Sequence, residues 1–350
     1  MSTNDSNDSL VWTEKYRPTS LDKMVFNDKE IENIFKKYIE SKNIPHLLFY
    51  GPPGVGKTSL ILACAKELFP GDKYKERVMF LNASNERGID VVRNKILLKA
   101  KTYVSPKSPC FKLIILDEAD AMTKDAQYAL RRLMEIYSDS TRFCFICNYK
   151  NKIINAIESR CTSIEFNQMN NNSSIQHLMK IAKKENLEIS EDQLKIISSS
   201  TNGDLRRSIS ILQNLKYFCK NDSSNKKTFS DENFCFVCNI VPSYFIEKVI
   251  KVCFNDSKVS DLQILAKELY KNAYSSESII NSLTKRLFDK DFDMKNVNEK
   301  KYSKVNDEIR AHLITELFNI QSSIKVGCNE NICLLALFNS LNKIYMNKIK

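Results

Sequence analysis

Glycine is scarce in this chain of 350 residues, and long apolar runs are missing. Three of the seven glycines fall within residues 51–58. No apolar run approaches the roughly 18 residues that a membrane-spanning helix needs, so we expect no membrane partner. The first eight residues are polar and acidic, unlike a secretory signal, and we expect residues 1–10 to form a disordered tail. Hydrophobic content of 43% and charged content of 27% are ordinary for a globular protein.

An acidic surplus is also missing, because the net charge is +11 and the basic excess is spread over both halves of the chain. This balance permits a polyanionic partner without requiring one. Eleven cysteines are present, and the Cys144/Cys147 and Cys235/Cys238 pairs have the spacing of zinc knuckles. Cys144 and Cys147 lie in a strand-like run, however, where residues three apart face opposite sides of a sheet. We therefore expect buried free thiols in a reducing compartment, and no zinc.

Residues 51–58 fit the phosphate-binding loop G-x-x-x-x-G-K-[ST]. An apolar run precedes the loop and a helical pattern follows it, which is the context that the motif needs. Backbone N–H groups would surround phosphate oxygens, aided by the positive end of the helix dipole. Lys57 would reach the β- and γ-phosphates, and the Thr58 hydroxyl would hold Mg²⁺. The predicted nucleotide-binding residues of this segment are Gly51, Pro52, Pro53, Gly54, Val55, Gly56, Lys57, Thr58 and Ser59.

A pair of carboxylates, Asp117 and Glu118, follows the fully apolar run 113–116, which is typical of a central parallel strand. Asp117 is placed to hold Mg²⁺ through its water shell. Glu118, one residue further, can polarise the attacking water as a general base. Such a pair could also be a solvated strand end, but the phosphate-binding loop upstream favours a catalytic role.

Short apolar runs alternate with helical patterns through residue 168, which predicts an α/β fold with a parallel five-stranded sheet and helices on both faces. Beyond that point the strand signals become few, and residues 170–174 and 220–227 are polar breaks. We predict a nucleotide-binding α/β domain over residues 11–168, a small helical domain over 169–229 and a C-terminal helical domain over 230–350. The predicted strands are 46–50, 78–81, 113–116, 143–147 and 163–166. The predicted helices include one capped by Thr123, those over 175–186 and 191–199, and one capped by Asp204.

Seven short segments resemble signatures of the AAA+ clamp loaders, and more narrowly of the small subunits of replication factor C. The match is dense over residues 11–215 and weak beyond, where only length and helical character agree. One departure is Asn85, which stands where the family usually has Asp. The segments are 12–18, 51–58, 82–89, 117–120, 142–149, 159–161 and 203–206.

This resemblance implies an AAA+ core, a helical lid and a C-terminal collar domain for oligomerisation, with ATP and Mg²⁺ as cofactors. It implies ATP-powered opening of a sliding clamp and its loading onto primer–template DNA during replication and repair. The expected setting is a hetero-pentameric ring or spiral of related subunits in the nucleus. Residues 181–186 and the pair 148–149 favour the subunit type that is numbered 4 in vertebrates.

Individual roles also follow from the resemblance. Asn148 would sense the γ-phosphate and orient the attacking water. Arg206, in the lid, would contact the γ-phosphate and link lid closure to ATP, although a solvated helix face is the alternative for this arginine. Tyr16, Arg17 and Val25 would lie near the adenine.

The remaining roles that the resemblance implies concern neighbouring molecules. Arg160 would be an arginine finger that enters the site of the next subunit, which requires head-to-tail contacts that form rings or spirals. The alternative for Arg160 is a surface ion pair after Glu158. Arg87, Arg93 and Lys152 match positions that follow the DNA backbone, and ordinary surface charge is the alternative for the two arginines. The family tends to have arginine at the position of Lys152, which removes a bidentate grip on phosphate.

Three other functions compete with this interpretation. An RNA helicase also carries the string found at residues 117–120, but it needs a second α/β domain that residues 169–350 do not predict. Another AAA+ machine, such as a Holliday-junction motor or a checkpoint loader, would share the core. A structural subunit would bind ATP without hydrolysing it, and the intact Glu118 argues against that role.

Overall fold

The computed structural model describes residues 11–84, 89–102, 109–221, 231–255, 257–272, 274–288 and 307–347. The chain divides into two compact units, Met1–Ser223 and Ser224–Lys350. Five parallel strands of the first unit form one sheet, which confirms the predicted α/β class. The strands are β1 (Leu47–Tyr50), β2 (Val78–Asn82), β3 (Lys112–Asp117), β4 (Thr141–Ile146) and β5 (Thr162–Glu165), in the spatial order β2-β3-β4-β1-β5.

Helices cover the sheet and extend beyond it within the first unit. Those of the α/β part are α1 (Trp12–Lys15), α2 (Lys29–Glu40), α3 (Lys57–Leu68), α4 (Asp72–Arg77), α5 (Ile89–Lys101), α6 (Lys124–Ile136) and α7 (Asn155–Glu158). Three more helices, α8 (Asn171–Lys184), α9 (Glu191–Ser200) and α10 (Leu205–Asn221), form a helical region that we call the lid.

The sheet is buried on both faces, because successive residues of its central strands pack into two different apolar clusters. Leu47 and Phe49 of β1 belong to one cluster, together with Cys144 of β4. Leu48 belongs to the other cluster, together with Cys147. The two thiols therefore lie on opposite sides of the sheet, as the two-residue period of a strand requires.

Helix starts follow the expected capping chemistry at two sites. The Thr123 hydroxyl accepts a hydrogen bond from the Ala126 N–H at 3.3 Å, at the start of α6. The Asp204 carboxylate accepts one from the Arg207 N–H at 3.0 Å, at the start of α10. Both side chains satisfy N–H groups that lack a partner inside the helix.

The two predicted polar breaks are wrong in part. Residues 170–174 are not a break, because Asn170 is the N-cap residue of α8 and the helix begins at Asn171. The second predicted break, residues 220–227, begins inside a helix, because α10 continues to Asn221; residues 222–230 lie outside the described part of the chain. Asparagine and serine are frequent both in loops and at helix N-termini, so composition alone did not separate the two cases.

The second unit is helical over its described residues and has its own apolar core. That core is built from residues on successive turns of its helices and includes Val249, Leu269, Leu283, Leu337 and Phe338. Across the ranges described above, no helix of the chain combines the length and apolarity that crossing a bilayer requires. The helices are α11 (Asp231–Cys238), α12 (Ser243–Cys253), α13 (Val259–Lys271), α14 (Ser276–Leu287), α15 (Asp307–Lys325) and α16 (Glu330–Asn347).

Lys112, at the start of β3, is buried and fixes the C-terminal end of α5. Its ammonium group donates hydrogen bonds to the carbonyls of Lys99 at 2.8 Å and Ala100 at 2.9 Å, and also to that of Thr102. Burial lowers the pKa of Lys112, and the nearby Lys99 adds to this effect. The last carbonyls of a helix have no partner within it and carry partial negative charge, so a cation at this end is favourable.

We expect Lys112→Met to lower the free energy of unfolding by about 2–4 kcal/mol, because three carbonyls at the end of α5, buried or partly buried, lose their donor. Methionine keeps the length of the side chain, so loss of volume contributes little. The matched control is Lys101→Met, an exposed lysine in α5, with an expected change within about 0.5 kcal/mol. Urea unfolding measures both variants, and equal effects would contradict this role for Lys112.

Candidate nucleotide-binding site

Neighbouring strands deliver the candidate residues to one edge of the sheet. β1 leads into the glycine-rich loop, β3 ends at Asp117, and β4 is followed by Asn148. β4 lies between β1 and β3, and all three strands are parallel. Their carboxyl ends therefore meet, at the edge where open α/β sheets bind their ligands.

Lys57 lies at the centre of this edge and is only 7% exposed. Its ammonium group donates hydrogen bonds to the carbonyl oxygens of Gly51 at 2.6 Å and Pro52 at 2.7 Å. A third hydrogen bond, of 3.0 Å, goes to Oδ1 of Asn148. Burial lowers the pKa of Lys57, and Asp117 is among the nearby groups that oppose this shift. An anion bound beside this ammonium would stabilise its charge further.

Two glycines of the loop have no space for a side chain. Gly51 has φ +135°, and a Cβ atom there would stand 2.1 Å from the carbonyl oxygen of Phe166. Gly54 has φ +74°, and its Cβ would stand 1.8 Å from Oδ1 of Asp204. Both φ values lie in the region that favours glycine. The loop backbone is thus packed closely between the end of β5 and the first residue before α10.

The hydroxyl and carboxylate expected to hold a metal ion are adjacent. Oγ1 of Thr58 donates a hydrogen bond to Oδ2 of Asp117 at 2.9 Å. The other carboxylate oxygen of Asp117 accepts from the N–H of Glu118 at 3.0 Å. Hydroxyl, carboxylate and water oxygens are the ligands that Mg²⁺ prefers, so this donor set fits that ion.

Glu118 combines an exposed carboxylate with a left-handed backbone at φ +55°. A residue with a Cβ atom is uncommon in this conformation, and such residues cluster at active sites. Close by, the N–H of Asn148 donates to Oδ2 of Asp120 at 3.3 Å, so Asp120 helps to hold Asn148 toward Lys57.

A cavity of about 170 Å³ adjoins these residues and is closed by three parts of the first unit. The loop and the strand ends form one wall, the segment 13–25 forms a second, and the lid forms a third. The predicted residues that line it are Tyr16, Arg17, Val25, Pro53, Gly54, Val55, Gly56, Lys57, Thr58, Ser59, Asp117, Glu118, Asn148 and Arg206. Gly51 and Pro52 join the site through their hydrogen bonds with Lys57.

Several lining residues carry no signal in the sequence. Met24, Met169, His177 and Ile209 also line the cavity. Burial lowers the pKa of His177, and neighbouring lysines lower it further, so its imidazole is neutral near pH 7. Apolar residues and a single histidine are unremarkable in sequence, and only the packing of the lid against the core brings them here.

Arg160 is outside the cavity of its own chain. Its guanidinium donates to Oε1 of Glu135 at 2.6 Å and to the Ala156 carbonyl at 2.8 Å. Glu135 also pairs with Arg131 at 3.1 Å. The side chain of Arg160 is 36% exposed, so it lies on a surface that another molecule can reach.

The three predicted DNA-contacting residues are only partly described. Lys152 is exposed in a short 3-10 turn after β4, with its ammonium 5.1 Å from the ring centroid of Tyr149. Arg93 belongs to α5, but its side chain lies outside the described part of the structure. Arg87 lies outside the described residues altogether.

Three family models match consecutive parts of the chain. The model of the ATPase family associated with various cellular activities (AAA) matches residues 47–169. The RCF1/5-like AAA+ ATPase lid domain matches residues 176–216, and the replication factor C C-terminal domain matches residues 241–340. The first two models together cover every part of the cavity except its N-terminal wall.

Similar proteins span nearly the whole chain. Replication factor C subunit 4 of Homo sapiens is 36% identical, over 94% of this chain and 86% of its own length. Replication factor C subunit 2 of Saccharomyces cerevisiae is 38% identical, over 95% of this chain and 93% of its own. The replication factor C small subunit of Sulfolobus acidocaldarius is 35% identical, with 95% and 96% covered. These near-equal identities leave the paralogue type as a prediction.

A solved structure of a Thermotoga maritima RuvB variant matches with a TM-score of 0.53 over 76% of this chain and 91% of its own. At 15% identity this likeness concerns the fold alone and gives no support to a Holliday-junction motor. The relatives and the three matched domains all indicate one family. The chain is an AAA+ ATPase that belongs to the replication factor C family of clamp-loader small subunits.

Proposed function

We propose that this chain binds ATP with Mg²⁺ in the cavity beside Lys57 and hydrolyses it as one subunit of a hetero-pentameric clamp loader. The work of the complex is to open a sliding clamp and load it onto primer–template DNA in the nucleus, for replication and repair. The observation that carries this proposal is the convergence of Lys57, Thr58, Asp117, Glu118 and Asn148 at one sheet edge, in a chain of this family.

In the proposed mechanism, Lys57 neutralises charge on the β- and γ-phosphates, and the loop N–H groups and the start of α3 bind the phosphate oxygens. Thr58 and Asp117 would hold Mg²⁺, which supplies further charge neutralisation when it is bound. Glu118 accepts the proton of the attacking water. Its exposed carboxylate can turn toward the cavity that it lines.

Two further residues would contact the γ-phosphate, one from the sheet edge and one from the lid. Asn148, held by Asp120, already contacts the Lys57 ammonium and can orient the attacking water. Arg206 enters the cavity from the first turn of α10. Because α10 belongs to the lid, a contact between Arg206 and the γ-phosphate would favour the lid position found here. Tyr16, Arg17 and Val25 line the cavity from the N-terminal segment, and the adenine would bind beside them.

We expect Glu118→Gln to bind ATP almost normally and to lower turnover at this site by about 10²-fold or more, the scale of general-base loss. Glutamine keeps the shape of the side chain but cannot accept the proton. Lys57→Ala is the counterpart, and it should weaken ATP binding itself. ATP titration and single-turnover hydrolysis in the reconstituted complex measure both effects. Normal turnover by Glu118→Gln would exclude Glu118 as the base.

Arg160→Ala should leave ATP affinity at this chain's own site unchanged and slow hydrolysis at the neighbouring site. Arginine fingers contribute about 10³–10⁵ in related GTPases, and a clamp loader is expected to depend on its finger less strongly. Arg131→Ala is the matched control, because it removes the other arginine that pairs with Glu135. The isolated chain should hydrolyse ATP poorly. Full activity of the isolated chain, or equal effects of both variants, would contradict a role in trans.

Replacing Arg87, Arg93 and Lys152 by alanine should weaken DNA binding equally for every primer–template sequence, because backbone contacts carry no sequence information. The log–log salt dependence should flatten by up to about 0.9 per lost phosphate contact. Basal ATP hydrolysis should persist, while its stimulation by DNA falls. The control removes three exposed, ion-paired lysines elsewhere, namely Lys36, Lys195 and Lys248. An unchanged salt slope in the first variant would show that its residues do not touch DNA.

A further inference from the structure

A buried carboxylate outside the cavity connects the N-terminal segment to the lid. Glu185 follows α8 directly and is 7% exposed. Its Oε1 accepts hydrogen bonds from the Lys15 ammonium at 2.7 Å and from the Tyr16 hydroxyl. Its Oε2 accepts from the Lys216 ammonium of α10. One side chain thus joins α1, α8 and α10.

The two lysines and the tyrosine hydroxyl keep the buried Glu185 carboxyl ionised. Burial of the Glu185 carboxyl works to raise its pKa, but hydrogen bonds from Lys15, Lys216 and Tyr16 outweigh that effect and lower the pKa to about 2. A lowered pKa stabilises the fold above the ordinary carboxyl pKa, and this contribution is lost only as the pH falls through about 2. The Glu185 carboxylate is therefore ionised at every physiological pH.

Trp12 extends the same contact toward the lid. Its backbone N–H donates to Oε1 of Gln213 at 3.0 Å, and the Lys216 ammonium lies 5.4 Å from the centroid of its indole ring. The Trp12 ring is 4% exposed and meets the Tyr16 ring edge-on, with centroids 6.0 Å apart. The segment 12–16 is thus packed on lid helix α10.

Tyr16 is the link from this cluster to the nucleotide. It lines the cavity, while its hydroxyl donates a hydrogen bond to Glu185. Arg206, which lines the same cavity, lies on α10, the helix that Lys216 connects to Glu185. The Glu185 carboxylate therefore contacts both Tyr16, which we assign to the adenine, and α10. That helix carries Arg206, which we assign to the γ-phosphate.

We propose that Glu185 is a positioning residue for ATP, which holds Tyr16 against the adenine and makes the segment 12–16 move together with the lid. The proposal rests on the proposed function, because it assumes that phosphates bind at Lys57 and leave the base beside Tyr16. Glu185 does not line the cavity, so it acts on the nucleotide only through Tyr16 and α10.

The test compares ATP with inorganic tripolyphosphate, which has the phosphates but no base, both with Mg²⁺ and with the full-length chain. Glu185→Gln should lower ATP affinity by about tenfold, the scale of one lost charge-assisted hydrogen bond. Tripolyphosphate affinity should stay within about twofold, because the loop and Lys57 are untouched. Glu191→Gln, the same change at an exposed lid residue, is the matched control and should alter neither affinity.

Trp12 supplies a spectroscopic readout, because it is the single tryptophan of the chain. Its emission should move to longer wavelength in Glu185→Gln, since the segment loses its anchor on the lid and the ring becomes more exposed. ATP should shift the Trp12 emission in the parent chain and have a smaller effect in the variant. Glu191→Gln should behave as the parent chain in both measurements.

Tyr16→Phe removes the hydroxyl that binds Glu185 and so tests whether Glu185 acts through Tyr16. It also replaces Glu185→Gln as the test variant if that variant does not fold. It should weaken ATP several-fold and spare tripolyphosphate. In the double variant the two losses should be less than additive, since both remove one interaction. Full additivity would overturn the route through Tyr16.

Two further results would overturn the role of Glu185. One is unchanged ATP affinity in Glu185→Gln, and the other is an equal loss of ATP and tripolyphosphate, which would indicate a purely structural carboxylate. Lys57→Ala separates this inference from the proposed function, because it should weaken both ligands. If Lys57→Ala bound both ligands normally, the phosphate site itself would be misassigned, and the inference about Glu185 would fail with it.

Discussion

One buried ammonium group determines the arrangement of the nucleotide edge. Removing a charge from water is costly unless it is paired or hydrogen-bonded, and Lys57 meets this condition through two loop carbonyls and the amide of Asn148. Those partners come from the ends of β1 and β4, so the ammonium fixes two strand ends relative to each other. The carbonyl oxygens carry only partial negative charge, so a bound phosphate would supply the full negative charge that the Lys57 ammonium lacks. The cost of burying the Lys57 charge therefore favours both the binding of an anion and the fixed arrangement of the strand ends.

The sheet and its loop could be predicted from short stretches because their causes are local. A run such as 113–116 is apolar at every position, since a central parallel strand is buried on both faces. Gly51 and Gly54 have positive φ values and closely packed surroundings, so the loop must carry glycine there. Asp117 is the last residue of β3 and Asn148 lies two residues beyond the end of β4, and parallel strands bring such positions together.

The parts that sequence did not predict depend on contacts between distant segments. Glu185 lies 169 positions from Tyr16, and in sequence it is one more charged residue at the end of a lysine-rich helix. His177 reaches the cavity only because α8 packs beside it. The start of α8 was misplaced for a different reason, because its first turn has the composition of a loop. The local sequence pattern predicts the helices and strands and the approximate positions of their ends. Contacts between the lid and distant segments become visible only in the folded structure.

The backbone at Glu118 has a consequence for how this chain can change over generations. A left-handed conformation costs a residue with a Cβ atom about 1 kcal/mol relative to glycine. Selection for a sturdier fold alone would therefore replace this glutamate by glycine or asparagine. On the proposed role of Glu118 as the general base, the need for its carboxylate opposes that exchange. In a lineage whose subunit no longer needs to hydrolyse ATP, we expect Glu118 to be replaced early. Exchange for glycine or asparagine would then also stabilise the fold.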